Sequence, residues 1–166
     1  MLLLVRHSAP EIDPEAPSEE WLLSEEGRRR CGPLAERLAA HAPRALLAST
    51  EPKARETAEL IAPVLGLKVQ LSDGLRETAR RTVGWLRPEA LEQSIRKLLE
   101  RPAEVVFGEE SAHAALARFE QAVAGLPDPA VVVSHGTVMS LYVAARTGRD
   151  PLELWRALEL PDVVEV

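Results

Sequence analysis

Four short apolar runs, Leu2 to Val5, Ala45 to Ala48, Leu67 to Leu71 and Ala130 to Val133, constrain the fold of this chain more than any other feature of it. Each is too short for a free-standing helix and most are bounded by turn or polar residues, so each reads as a buried parallel strand. The segments between them have helical spacing. Ser24 is the expected N-cap of a helix reaching about His41, with Glu25 and Glu26 in its first turn and Cys31, Leu34, Ala35 and Leu38 on one face. Thr50 is expected to cap a second helix, with Ala54, Ala58, Ile61 and Leu65 as its buried stripe and Gly66 as its stop. Pro88 to Glu100 and Glu109 to Gly125 read as amphipathic helices, and a last helix runs from near Gly136 to about Arg146. Pro161 to Val166 suits an edge strand, since its valines favour extended structure and proline is tolerated at a strand's first position.

Alternating strands and helices point to an α/β fold, a three-layer sandwich with a mainly parallel sheet and helices on both faces. One domain over residues 1–166 accommodates this, and 46% apolar residues suffice for its core. A formal net charge of -6 argues against a general nucleic-acid surface, so an anionic ligand has to be held in a local basic pocket. The apolar start stops at Arg6, short of a signal peptide or a membrane span, and the cytoplasm is the expected location. The lone Cys31 falls among apolar helical neighbours and reads as a buried thiol.

Three strands end in distinctive polar groups: Arg6-His7-Ser8, Ser49-Thr50 with Arg55 one turn on, and Ser134-His135-Gly136. In a parallel sheet all three lie at the carboxyl rim, where open α/β sheets bind ligands. Two arginines and two histidines there make an anion pocket, to which Gly136, opening a helix, adds backbone N–H groups and the helix dipole. A neutral imidazole is also a usable nucleophile near pH 7. Nothing in the chain has the spacing of a metal cluster, and no cofactor is expected.

Arg6-His7, Ser49 with Arg55 and Thr57-Ala58, Leu75 with Glu77, Glu109-Glu110-Ser111 with Arg118, and Ser134-His135-Gly136, in this order, resemble the histidine phosphatase superfamily in its phosphoglycerate mutase-like branch. The resemblance implies a phosphomonoesterase acting without metal through a phosphohistidine. His7 would be the nucleophile, with Arg6, Arg55, His135 and Gly136 binding phosphoryl oxygens. Glu77 would carry the proton and would have to be protonated when substrate arrives. Ser8 stands where the family usually has glycine, and its hydroxyl is expected to donate to substrate; Arg80 and Arg81 are expected to reach a second anionic group. The short segment from Glu77 to Glu109 favours a phosphatase over a mutase, whose longer insertion encloses a bisphosphate.

Glu51, Glu56 and Glu110 are rival carboxyls, with Glu110 and Arg118 also suited to ordering the pocket. His41 and His113 read as non-catalytic, and Arg28-Arg29-Arg30 as a salt-bridged helix face. The expected substrate is a small phosphorylated metabolite: a sugar phosphate, a nucleotide-related phosphate such as α-ribazole 5′-phosphate, or a phosphoglycerate. Mutase activity, dephosphorylation of a phosphohistidine protein and binding of phosphorylated ligands without turnover are the alternatives. Neither nucleic acid nor membrane is an expected partner, and the oligomeric state is not legible.

Overall fold

The computed structural model describes all 166 residues. Its sheet contains β1 (Leu2–Arg6), β2 (Ala45–Ser49), β3 (Val69–Ser72), β4 (Ala130–Ser134) and β5 (Asp162–Glu165), in the order β3-β2-β4-β1-β5. The first four are parallel, and β5 pairs antiparallel with β1 at the edge. Because β4 inserts between β1 and β2, the residues that follow three adjacent parallel strands converge on one rim.

Alternate strand residues face opposite layers, as the pleat requires. Leu3, Val5, Leu46, Ala48, Val131 and Val133 pack under α1 (Glu25–Ala39) and α2 (Pro52–Leu65). Leu4, Leu47 and Val132 face the other layer, made by α3 (Pro88–Glu100), α4 (Ala112–Val123), α5 (Gly136–Thr147) and α6 (Pro151–Ala157). This is the expected three-layer sandwich, and no helix is long and apolar enough to cross a membrane. α6, capped by the Asp150 carboxylate accepting from the Glu153 N–H, is a helix that the apolar patterning does not reveal.

Three expected boundaries move, and one is the start of α4, at Ala112 instead of Glu109 because the Ser111 hydroxyl caps it by accepting from the Ala114 N–H. α2 starts at Pro52 with Glu51 as N-cap, because the Thr50 hydroxyl donates to Asp73 (2.7 Å) and proline's fixed φ and missing N–H suit the first helical position. β3 starts at Val69 and is half exposed rather than buried, since it is the sheet's outer strand and only one flank is paired. Ser24 caps α1 as expected, accepting from the Gly27 N–H at 3.0 Å. Ser24 also donates to the Ala9 carbonyl, and a Cβ on Gly27 would sit 2.1 Å from that oxygen. Glycine is required there so that the loop after β1 can lie directly on α1. Cys31 is buried on α1, and burial pushes its thiol up to about 11.

Candidate active site

His7 extends the β1–β4 ladder by one residue, its N–H donating to the Ser134 carbonyl at 3.0 Å. Its Nδ1 lies 2.8 Å from the Ser8 carbonyl, which can only accept, so Nδ1 holds the ring proton and the lone pair is on Nε2. Nε2 makes no hydrogen bond. Burial first, then the charges of His135, Lys53 and Arg6, push the His7 pKa well below its ordinary value, which keeps the ring neutral near pH 7.

His135, the residue after β4, stands 5.1 Å from His7 between ring centroids, at 60°. Its Nε2 is 2.9 Å from the Ser49 hydroxyl, which also accepts from the Glu51 N–H at 3.2 Å. The hydroxyl hydrogen is then directed at Nε2, and the ring proton of His135 belongs on Nδ1. That atom is buried, makes no hydrogen bond and lies 3.6 Å from a Glu51 carboxylate oxygen. Burial and the charge of Lys53 hold His135 well below the usual histidine range despite the opposing influence of Glu77.

The structure replaces one expected cation. Arg55 lies on the outer face of α2, 47% exposed, with Glu59 as its ion-pair partner at 3.6 Å, and it does not join the histidines. Lys53 does. It is 5% exposed and donates to Glu51 (2.7 Å) and to the Ser18 carbonyl (2.5 Å). The buried stripe of α2 runs Lys53, Ala54, Thr57, Ala58 and Ile61, and Arg55 is off it. Arg6 donates to the Leu158 carbonyl at 2.6 Å, while its buried Nε has no partner. Its guanidinium lies across Gly136, where a Cβ would come within 3.3 Å of it. Gly136 therefore serves as the bed for Arg6. Arg80 makes no ion pair or hydrogen bond through its side chain and stacks over Phe107, 5.5 Å from the ring centre. Arg81 pairs with Glu19 (2.6 Å) and Glu20 (2.7 Å), so its charge is already neutralised.

Glu77 occupies the place that the start of α5 was expected to offer an anion. One carboxylate oxygen accepts from Thr137 N–H (3.0 Å) and the other from Thr78 N–H (2.8 Å) and Val138 N–H (3.3 Å). Burial alone would raise this carboxyl, but Arg80, His135 and those N–H donors outweigh it and hold it below the ordinary carboxylate range. In the free protein Glu77 is therefore held toward its ionised form. Ser8 also departs from expectation. It is fully buried, its hydroxyl donates to the Gly27 carbonyl (2.7 Å) and its N–H to the Thr57 hydroxyl (3.0 Å), so it braces the His7 loop instead of facing a substrate.

Around this centre, Arg118 donates to the carbonyls of Gly74, Arg76 and Glu77 and pairs with Glu110, which accepts from the Ala79 N–H. Glu51 accepts from the Glu77 N–H at 2.8 Å. These contacts fix the backbone on both sides of Glu77. Arg29 and Arg30 pair with Glu25 and Glu26 on the face of α1, as the charge pattern implies. His41 is remote from the site, 3.9 Å from Glu165.

A search of curated proteins returned no match. A mycobacterial glucosyl-3-phosphoglycerate phosphatase structure superposes with a TM-score of 0.71 at 25% identity, covering 95% of this chain and 84% of that one. A protein called mycobacterial hydrolase 1 gives 0.73 at 26% identity, covering 95% and 83%. TTHB049 from Thermus thermophilus, in a single-substitution form, gives 0.66 at 29% identity, covering 90% and 85%. The family model of the histidine phosphatase superfamily, branch 1, matches residues 2–164, and the chain belongs to that family.

Proposed function

We propose that the protein hydrolyses small phosphomonoesters in two steps through a phosphohistidine at His7. The observation that carries this reading is the His7 ring itself: neutral, oriented by the Ser8 carbonyl, and with Nε2 unpaired beside Arg6, Lys53 and His135. Its membership of the family and its likeness to a phosphatase at 25% identity support it.

In the first step the Nε2 lone pair attacks phosphorus, the P–N bond forms and the ester P–O bond breaks. The leaving oxygen takes a proton from Glu77. In the second, water gives a proton to Glu77 and its oxygen attacks phosphorus; the P–N bond breaks, its electron pair returns to Nε2, and inorganic phosphate leaves. Glu77 starts ionised, so the proton comes with the substrate. A phosphate ester whose second pKa is about 6 binds as the monoanion, and the carboxylate beside it shares that proton because two neighbouring negative charges are disfavoured. Arg6, Lys53, Arg80 and the His135 Nδ1–H neutralise the transferring oxygens, which is the stabilisation phosphoryl transfer chiefly asks for, and the two steps use no metal.

Hydrolysis is favoured over mutase chemistry because a bisphosphate needs a second cation cluster, and Arg81 is neutralised by Glu19 and Glu20. The test is hydrolysis of para-nitrophenyl phosphate in excess EDTA by wild type and His7→Ala, with rapid-quench trapping of the phosphoenzyme. Wild type turns over and traps label, and the variant does neither while keeping its melting temperature. Equal turnover by both proteins would sink the mechanism.

A further inference from the structure

A cleft of about 300 Å³ opens beside the phosphate site, with Arg6 and Arg80 in the wall the two share. The chain has three tryptophans, two phenylalanines and one tyrosine. All three tryptophans, Trp21, Trp85 and Trp155, line this cleft together with Phe107. The other two aromatics, Phe119 and Tyr142, stack on each other in the core at 5.1 Å. A chain with so few aromatic rings has placed most of them around one opening. Trp85 remains 43% exposed there, a large apolar surface left open to solvent.

The walls are held in place before any ligand arrives. The Trp21 indole N–H donates to the Asp13 and Ala16 carbonyls (2.9 and 3.1 Å). Glu109 accepts from the N–H groups of Arg81 and Thr82, and Arg81 reaches across to Glu19 and Glu20. Beyond the arginines, Ser18 is the cleft's one hydroxyl-bearing side chain, its backbone carbonyl is already taken by Lys53, and no carboxylate lines the wall. Sugar hydroxyls would lose water there for few hydrogen bonds, whereas a flat ring gains area and aromatic contacts.

Resting on the hydrolase reading above, we propose that this cleft is the leaving-group subsite and selects phosphomonoesters whose alcohol carries an aromatic ring system. The phosphate sits at Arg6 and Arg80, and the ring passes between Trp21, Trp85 and Trp155. Such a substrate is supplied by a reaction that phosphorylates, or builds in phosphorylated form, a ring-bearing alcohol.

The test uses alkyl esters of comparable leaving-group acidity: 1-naphthylmethyl phosphate, glucose 6-phosphate and ethyl phosphate, with wild type, Trp85→Ala and Trp85→Phe. We expect kcat/KM for the naphthyl ester to exceed that for the other two by at least about tenfold, the scale of one to two aromatic contacts. Trp85→Ala should erase most of that ratio through KM, and Trp85→Phe should restore it. In parallel, calorimetry measures binding of the non-hydrolysable 1-naphthylmethylphosphonate to wild type and Trp85→Ala. Turnover with no ring preference, and a ratio indifferent to Trp85, overturns the cleft assignment and leaves the hydrolase reading standing. Trp85-dependent phosphonate binding without turnover of any ester supports the cleft and overturns the hydrolase reading.

Discussion

Residue by residue, the site turns on which basic group faces inward. Lys53 is buried against Glu51 beside the histidines, whereas Arg55, two positions along the same helix, is solvated and paired with Glu59. Arg55→Ala should therefore change kcat/KM by less than about twofold, as for an ordinary surface substitution. Lys53→Met should lower it about 100-fold, the size seen when one donor to a developing oxyanion is removed. Lys53→Met is best combined with Glu51→Gln, because a carboxylate left buried without its cation costs about 3 to 5 kcal/mol of stability. Steady-state kinetics of the two variants decide between the residues, and a larger loss at Arg55 would reverse the assignment. Glu77 carries its own signature. With a carboxylate ionised in the free protein and a proton delivered by the substrate monoanion, kcat/KM on a poorly activated ester should fall as pH rises above about 6. Glu77→Gln should remove that dependence along with most of the rate, and a flat wild-type profile from pH 5 to 8 would remove Glu77 from its role.

At the scale of elements, the chemistry depends on how loops are tied to helices. The loop after β1 lies on α1 through Ser8, Ser24 and Ala9, with no room for a Cβ on Gly27. Gly27→Ala should destabilise the fold by about 1 to 3 kcal/mol, the usual cost of forced overpacking, measured as the shift in a urea midpoint. α4 reaches the site through Arg118, whose guanidinium holds three carbonyls from Gly74 to Glu77. Arg118→Met should lower kcat by about tenfold or more with a smaller change in KM, because it loosens the position of Glu77 and not the phosphate contacts. It should also broaden the fall of kcat/KM with pH. A change confined to melting temperature would make Arg118 purely structural.

For the whole molecule, two histidines are buried at the centre of the rim in the neutral form. In the unfolded chain each takes up a proton near pH 6.5, and in the folded protein it does not. Below that pH the unfolded state binds more protons, so stability is full above about pH 6.5 and falls on acidification, by up to about 1.4 kcal/mol per pH unit for each histidine. Thermal melts between pH 7 and 5 should show this slope. The double variant His7→Asn/His135→Gln should flatten it, and an equal slope in both proteins would refute the neutral assignment.

How much of this was legible in the chain follows from what is local. Short apolar runs ending in polar residues mark the carboxyl ends of strands, and they located Arg6, His7, Ser49 and His135 at one rim. Capping chemistry likewise placed the start of α1 at Ser24 and the stop of α2 at Gly66. The i, i+4 spacing of Lys53, Thr57 and Ile61 holds the signal for the inward cation, whereas Arg55, one turn after the strand end, lies off that stripe. Other features had no local signal. The insertion of β4 between β1 and β2, the turn of Ser8 toward Gly27, the seating of the Glu77 carboxylate on α5 and the meeting of Trp21, Trp85 and Trp155 each join residues far apart in the chain. Periodicity and turn chemistry determine where elements begin and which side is apolar, because those depend on near neighbours. Helix rotation, carboxylate ionisation and the shape of a cleft depend on what packs across from them, and only the tertiary structure decides that.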